Sequence, residues 1–111
     1  MNIPKLPRDP EAYVIAPMNH AEVGDIFFHL YRSEGVGREV VKDIISGKKA
    51  SWYIHKIFRK DSTEIKVEYS FKPFQKPNAA PLEPDVLKLK DFFVLKRNKV
   101  TLDESILEAF V

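Results

Sequence analysis

The sequence predicts a small single α+β domain: N-terminal helices followed by an antiparallel sheet or wing, and then a short C-terminal helix. Two patterns support this fold class. Apolar residues recur at helical spacing in residues 19–31 and 38–46, which is typical of helices that bury one face. Residues 63–71 instead alternate strictly between apolar and polar side chains, which is the pattern of a half-buried strand.

The chain length and the first prolines predict the domain boundaries. A chain of 111 residues accommodates one domain with a modest core. Pro4, Pro7 and Pro10 disfavour a helix at the N-terminus. We therefore expect residues 1–11 to form an extended arm and residues 12–111 to form the domain.

The composition excludes several classes of protein. The chain contains no cysteine, which excludes disulfides and thiolate metal sites. It has no apolar run of the ~20 residues that a membrane span needs, and its first residues lack the hydrophobic region of a secretory signal. We expect a cytoplasmic protein that makes no membrane contact.

Two helices are predicted before residue 50. Asn19 is placed to cap the first helix, whose apolar stripe consists of Val23, Phe27, Leu30 and Tyr31. The second helix spans Arg38–Ser46, and Gly47 follows it as a natural stop. Its buried face consists of Val40, Val41, Ile44 and Ile45.

Residues 50–60 admit two interpretations. As a helix, this segment places its larger apolar side chains on one face, namely Tyr53, Ile54, Ile57 and Phe58. As a strand, its aromatic and β-branched residue types fit well, but Lys56 interrupts the apolar face. The helical pattern is the more regular of the two, and we adopt it here. In the alternative, this segment forms a hairpin with residues 63–71.

The remainder of the chain is predicted as loop, strand and helix in turn. Four prolines between positions 73 and 84 exclude regular structure there, so residues 72–84 form a long loop or wing. Residues 92–95 are apolar and predict a buried strand. Thr101 and Glu104 form a capping box, after which Leu102, Ile106, Leu107 and Phe110 give the C-terminal helix an apolar stripe.

No catalytic or ligand-binding motif is present. His20, His29 and His55 are too far apart in the sequence for a local metal motif. The serines stand in no nucleophile-elbow context. We therefore expect no metal, no cofactor and no enzymatic activity.

The main functional signal is a block of positive charge. Residues 42–60 contain six basic residues against Asp43 alone, and such blocks are typical of polyanion binding. With residues 50–60 as a third helix, the order of elements resembles that of winged helix-turn-helix regulators, which bind DNA. The resemblance implies a DNA partner in preference to RNA, with base contacts from Lys48, Lys49, Ser51, Trp52 and His55. It also implies phosphate contacts from Lys56, Arg59 and Lys60.

Two other functions remain open. The aromatic residues and an edge strand would also suit a protein-binding inhibitor or immunity-type module, whose partner is another protein. If residues 50–60 form a strand, the order of elements resembles that of small ribosome-dependent ribonuclease toxins. That resemblance implies RNA cleavage with roles for His55, Arg59 and Tyr69.

Overall fold

The computed structural model describes residues 5–31, 33, 35–77 and 79–98. These residues form one six-stranded antiparallel sheet and one helix. The order of strands across the sheet is β1-β6-β2-β3-β4-β5. The elements are β1 (Tyr13–Pro17), β2 (Ile26–His29), α1 (Arg38–Ser46), β3 (Trp52–Lys60), β4 (Glu64–Phe71), β5 (Asp85–Lys88) and β6 (Phe92–Arg97). Short 3-10 turns occupy Pro10–Ala12, Met18–His20 and Leu89–Asp91.

The predicted fold class is wrong, because a sheet rather than N-terminal helices dominates the domain. The first predicted helix is replaced by β2, in which Ile26, Phe27 and Phe28 are all buried. A run of consecutive apolar residues suits a strand that is covered on both faces. Gly24, at φ 95°, forms the turn before this strand, in a backbone conformation that favours glycine.

Residues 50–60 were also predicted wrongly, because they form strand β3 rather than a recognition helix. The pairing of β3 with β4 shifts register between Ile54 and Lys56 and again between Ile57 and Arg59. Each bulge adds a residue and resets which side chains share a face. The bulges explain why the sequence of β3 shows no clean alternation and why Lys56 interrupts it.

Three predicted elements are confirmed. Helix α1 has the predicted bounds and is followed by Gly47. This glycine has φ 88°, the left-handed conformation that commonly ends a helix, and its N–H donates to the carbonyl of Ile44. Strand β4 and strand β6 cover the segments predicted as strands at 63–71 and 92–95. The predicted C-terminal helix lies outside the described residues.

The sheet is strongly curled. Strands β5 and β6 are four strand spacings apart in the sheet, which is about 19 Å across a flat sheet. Only Leu89–Asp91 connects them, and the chain from residue 88 to residue 92 reaches at most about 14 Å. The sheet must therefore bend until its two ends approach each other, giving it a concave and a convex face.

Each face of the curled sheet carries its own core. The concave core joins side chains from β2, β3, β4 and β6 and is closed by the turn at Leu89; its buried members include Phe27, Ile54, Ile65, Val67 and Val94. On the convex face, α1 packs its apolar side chains against β1, β2, β6 and the first half of β3. The outer half of the convex face, on β3, β4 and β5, lies beyond this core.

Candidate nucleic-acid interface

The residues predicted to contact DNA do not form one surface. Trp52 lies on the concave face with Phe27, whereas Lys56 and its cross-strand neighbour Glu68 lie on the convex face. Lys60 donates a hydrogen bond to the carbonyl of Ala21 beside the concave core. The predicted site is divided because a strand, unlike a helix, sends neighbouring side chains to opposite faces.

Two of the predicted residues are buried. Ser51 precedes β3, and His55 lies within it next to the convex core. His55 Nε2 and Ser70 Oγ share a hydrogen bond of 2.9 Å, and burial lowers the pKa of His55 from its ordinary value of 6.5. The pair satisfies two buried polar groups, and neither side chain is presented to a ligand.

The remaining predicted residues are two lysines and an arginine. Lys48 lies in the connection between α1 and β3 with its side chain exposed, and Lys49 beside it is half-buried. Arg59 is exposed on β3 and lies 3.9 Å from Asp61 in the turn that follows. Lys48 and Lys49 therefore lie close to the start of β3, whereas Arg59 lies near its end.

The three residues considered for RNA cleavage are not brought together. His55 lies on the convex side of the sheet and Tyr69 packs with the concave core. Arg59 is exposed further along β3. A catalytic pair needs side chains within hydrogen-bond reach of a common reacting group, and these three residues are not arranged in that way.

A group of aromatic side chains at one end of the concave face was not predicted. The end of β2, the start of β3, the end of β4 and the start of β6 meet here, because neighbouring strands are antiparallel. We call this group the aromatic surface; it consists of His29, Tyr31, Trp52, Tyr69, Phe71 and Phe92. Phe27, which is only 2% exposed, supports it from below.

Strand register sets the centre of the aromatic surface. Phe27, Trp52 and Phe71 are directly opposite one another on three adjacent strands. The rings of Phe27 and Trp52 are stacked with centroids 5.1 Å apart, and the Phe71 ring lies 6.1 Å from that of Trp52. Such contacts hold the rings in fixed orientations, so the row is organised before any ligand binds.

The second half of the surface extends the row from Phe27 to β6 and to the end of β2. The Phe92 ring is edge-on to Phe27 at 5.6 Å and to His29 at 5.6 Å. His29 in turn contacts Tyr31 at 4.6 Å between ring centroids. The aromatic surface is therefore one continuous set of rings from Phe71 to Tyr31.

Part of this aromatic area is open to solvent. Phe71 is 49% exposed and Tyr31 is 60% exposed, while Trp52, Tyr69 and Phe92 are half-buried. Large apolar rings exposed in one contiguous group usually mark an interaction site. The two most exposed rings stand at opposite ends of the row.

Positive charge borders the aromatic surface. The ammonium group of Lys49 lies 4.9 Å from the centroid of the Tyr31 ring, which is a favourable cation–π distance. Lys72 follows Phe71 directly, and its backbone N–H donates to the carbonyl of Ser51. The Lys72 side chain is exposed, so one cation contacts the row at Tyr31 and a second belongs to the residue that follows Phe71.

One polar atom within the aromatic surface lacks a partner. Nδ1 of His29 is buried and makes no hydrogen bond with any part of the chain that the structure describes. An unpaired buried nitrogen costs free energy.

The sequence contained one signal for this surface that the prediction did not use. The alternation in residues 63–71 already placed Tyr69 and Phe71 on one face of a strand. The contributions of Tyr31, Trp52 and Phe92 depend on the register of separate strands. Neighbouring positions across a sheet cannot be derived from local periodicity.

The described residues contain no group of three or more side chains that could hold a metal ion. Nor does the described part of the chain contain a helix that is long and apolar enough to cross a membrane. Among known proteins, no family model, curated protein or solved structure matches the chain.

Proposed function

We propose that this protein binds single-stranded nucleic acid on the aromatic surface. The observation that carries the proposal is the ordered row of Phe27, Trp52 and Phe71, which ends in an exposed ring. Proteins that bind single strands with little sequence preference stack successive bases on such rings. The surface offers a base two accessible rings, Phe71 and Tyr31.

Electrostatics favours the same ligand. The ammonium group of Lys49 lies at Tyr31, where a base would stack, and Lys72, which follows Phe71 in the sequence, has an exposed side chain. Phosphates of an extended strand would lie beside its stacked bases and within reach of these groups. Lys48, which the sequence predicted to contact base edges, is exposed next to Lys49, and in this arrangement we assign it to phosphate binding instead.

The shape of the site favours a single-stranded nucleic acid over a duplex. Duplex readers insert a helix or a β-ribbon into a groove, and the predicted recognition helix is a strand in the middle of the sheet. Aromatic stacking instead requires the face of a base, which a duplex covers with its neighbouring bases. The ligand class therefore changes from duplex DNA to single-stranded DNA or RNA.

The proposal is tested by fluorescence anisotropy with labelled single strands, oligo-dT and oligo-U, and with a mixed-sequence duplex. Phe71→Ala and Tyr31→Ala should each weaken single-strand binding by roughly 5-fold to 100-fold, because stacking contributes ~1–3 kcal/mol per base. Phe58→Ala is the matched control, since Phe58 is 44% exposed but lies away from this surface.

Single strands should bind more tightly than the duplex, and Phe58→Ala should leave their affinity unchanged. Equal affinity for the two forms, or equal binding by the Phe71→Ala variant, would contradict stacking on this surface. Circular dichroism of each variant establishes that the sheet is intact before affinities are compared.

A further inference from the structure

A second surface lies on the opposite side of the sheet, at its β5 edge. We propose that this edge, together with the convex face beside it, binds an extended acidic peptide segment of a partner protein by strand addition. The convex part, which we call the basic face, carries Lys56, Arg59, Lys66 and Lys88. This inference does not depend on the proposed nucleic-acid function.

The backbone of β5 supplies the docking edge. Strand β5 pairs with β4 alone among the described strands. The N–H of Leu89 donates to Thr63 on the β4 side, and N–H groups alternate in direction along a strand. The N–H groups of Val86 and Lys88 therefore point outward, away from β4. Among the described residues, Val86 N–H donates only to the carboxylate of the preceding Asp85, at 2.8 Å.

The basic face presents cations around an apolar centre. The ring of Phe58 is 44% exposed, and the ammonium groups of Lys56 and Lys66 lie 5.0 Å and 5.8 Å from its centroid. Val86, which is 45% exposed, is directly opposite Lys66 on the neighbouring strand. Apolar and cationic groups thus alternate across the last three strands.

These lysines are not neutralised within the described part of the chain. Glu68 and Glu64 are opposite Lys56 and Lys88 in the strand register, yet neither glutamate forms an ion pair with these lysines. Arg59 alone has a carboxylate partner, Asp61, at 3.9 Å. Four cations against three carboxylates, those of Asp61, Glu64 and Glu68, leave this face with an excess of positive charge that complements a negative partner.

The free edge determines what kind of acidic partner fits. A peptide strand supplies carbonyl groups for the outward N–H groups of Val86 and Lys88, which is strand addition. Its side chains then alternate between the two faces of the sheet. Acidic residues at every second position would all face the lysines. A nucleic acid carries the charge but has no peptide backbone to extend the sheet.

The proposal is tested with the full chain and a fluorescein-labelled peptide of about ten residues that alternates glutamate and threonine. Val86→Pro removes one outward N–H without altering the bonds between β5 and β4, since proline is tolerated at a strand edge. It should weaken binding by about 10-fold or more, whereas Val86→Thr, which retains the N–H, should bind like the natural chain. Lys66→Glu should also weaken binding.

Further measurements in the same experiment determine whether the proposal stands. Amide resonances of residues 85–88 should shift on addition of the peptide, and a peptide alternating lysine and threonine should not bind. Equal affinity of the Val86→Pro and Val86→Thr variants would overturn the proposal. Loss of peptide binding in Phe71→Ala would also overturn it, because the peptide would then lie on the aromatic surface. Dimerisation through β5 in sedimentation experiments would overturn it as well, because a second copy of the chain would then occupy the edge.

Discussion

His55 illustrates how burial changes the role of a side chain. Its place in the basic block indicated a ligand contact, but the ring is buried and hydrogen-bonded to Ser70. The block is a property of the sequence alone, whereas burial depends on which face of β3 each residue occupies. A linear count of charges cannot distinguish an exposed lysine from a buried histidine beside it.

The lowered pKa of His55 predicts a pH dependence of stability. Burial disfavours the charged ring in the folded state, so the unfolded chain takes up this proton at higher pH. The contribution of neutral His55 is fully present above pH 6.5, its ordinary pKa, and is lost as the pH falls below that value. Urea unfolding at about pH 7.5 and pH 5.5 should show this loss.

Two histidine substitutions separate this effect from other titrations. His55→Gln should flatten the dependence between the two pH values, because no proton is then taken up at position 55. His20→Gln is the control, since the His20 side chain is exposed, and it should leave the dependence as it is in the natural chain. An unchanged dependence in His55→Gln would contradict the assignment.

At the scale of elements, the sequence predicted α1, β4 and β6, whose periodicities are regular. It failed for β2 and β3 for separate physical reasons. In β2, apolar residues cover both faces of a strand and so happen to match a helical stripe. In β3, two bulges remove the alternation that marks a strand. Both failures come from tertiary context, because burial on two faces and bulges are set by neighbouring strands.

The end of α1 gives a prediction at the same scale. Gly47 has φ 88°, and an added Cβ would lie 1.8 Å from the side chain of Gln75. Gly47→Ala should therefore lower the free energy of unfolding by ~1–2 kcal/mol, the cost of a left-handed conformation, with any unrelieved contact adding to it. Denaturant unfolding measures the change.

Gly35→Ala is the matched substitution. No atom of the described residues lies within 4 Å of a Cβ built at Gly35, so the change in stability should stay within ~0.5 kcal/mol. If both substitutions destabilise the protein equally, the loss at position 47 does not arise from the helix terminus. Identical stability of Gly47→Ala and the natural chain would contradict the left-handed conformation itself.

At the scale of the whole molecule, the curl of the sheet separates two surfaces of different chemistry. The aromatic surface lies at one end of the concave face, and the basic face lies on the convex side at the β5 edge. Both surfaces take residues from β3 and β4, and the alternation of side chains between the two faces of each strand separates them. Trp52 and Lys49 belong both to the residues predicted from the sequence and to the surface proposed from the structure, whereas the surface itself depends on strand register and could not be predicted.

The separation predicts independent binding. Phe71→Ala should weaken single-strand binding without changing affinity for the acidic peptide, and Val86→Pro should do the reverse. Titrating each variant with each ligand gives a two-by-two comparison, and effects at distant sites are expected to be additive. Parallel losses of both affinities in one folded variant would show that the two surfaces are coupled or are one site.

The proposed function requires bases to stack on the aromatic surface, and Trp52 reports on this stacking directly. Trp52 is the single tryptophan of the chain and lies between Phe27 and Phe71. Titration with unlabelled oligo-dT at low salt should quench its fluorescence to saturation, with an affinity that falls as salt is raised, because bound phosphates displace counterions. Phe71→Ala should weaken the quenching transition. Unchanged Trp52 fluorescence at concentrations where anisotropy shows binding would contradict the claim, because the strand would then bind elsewhere.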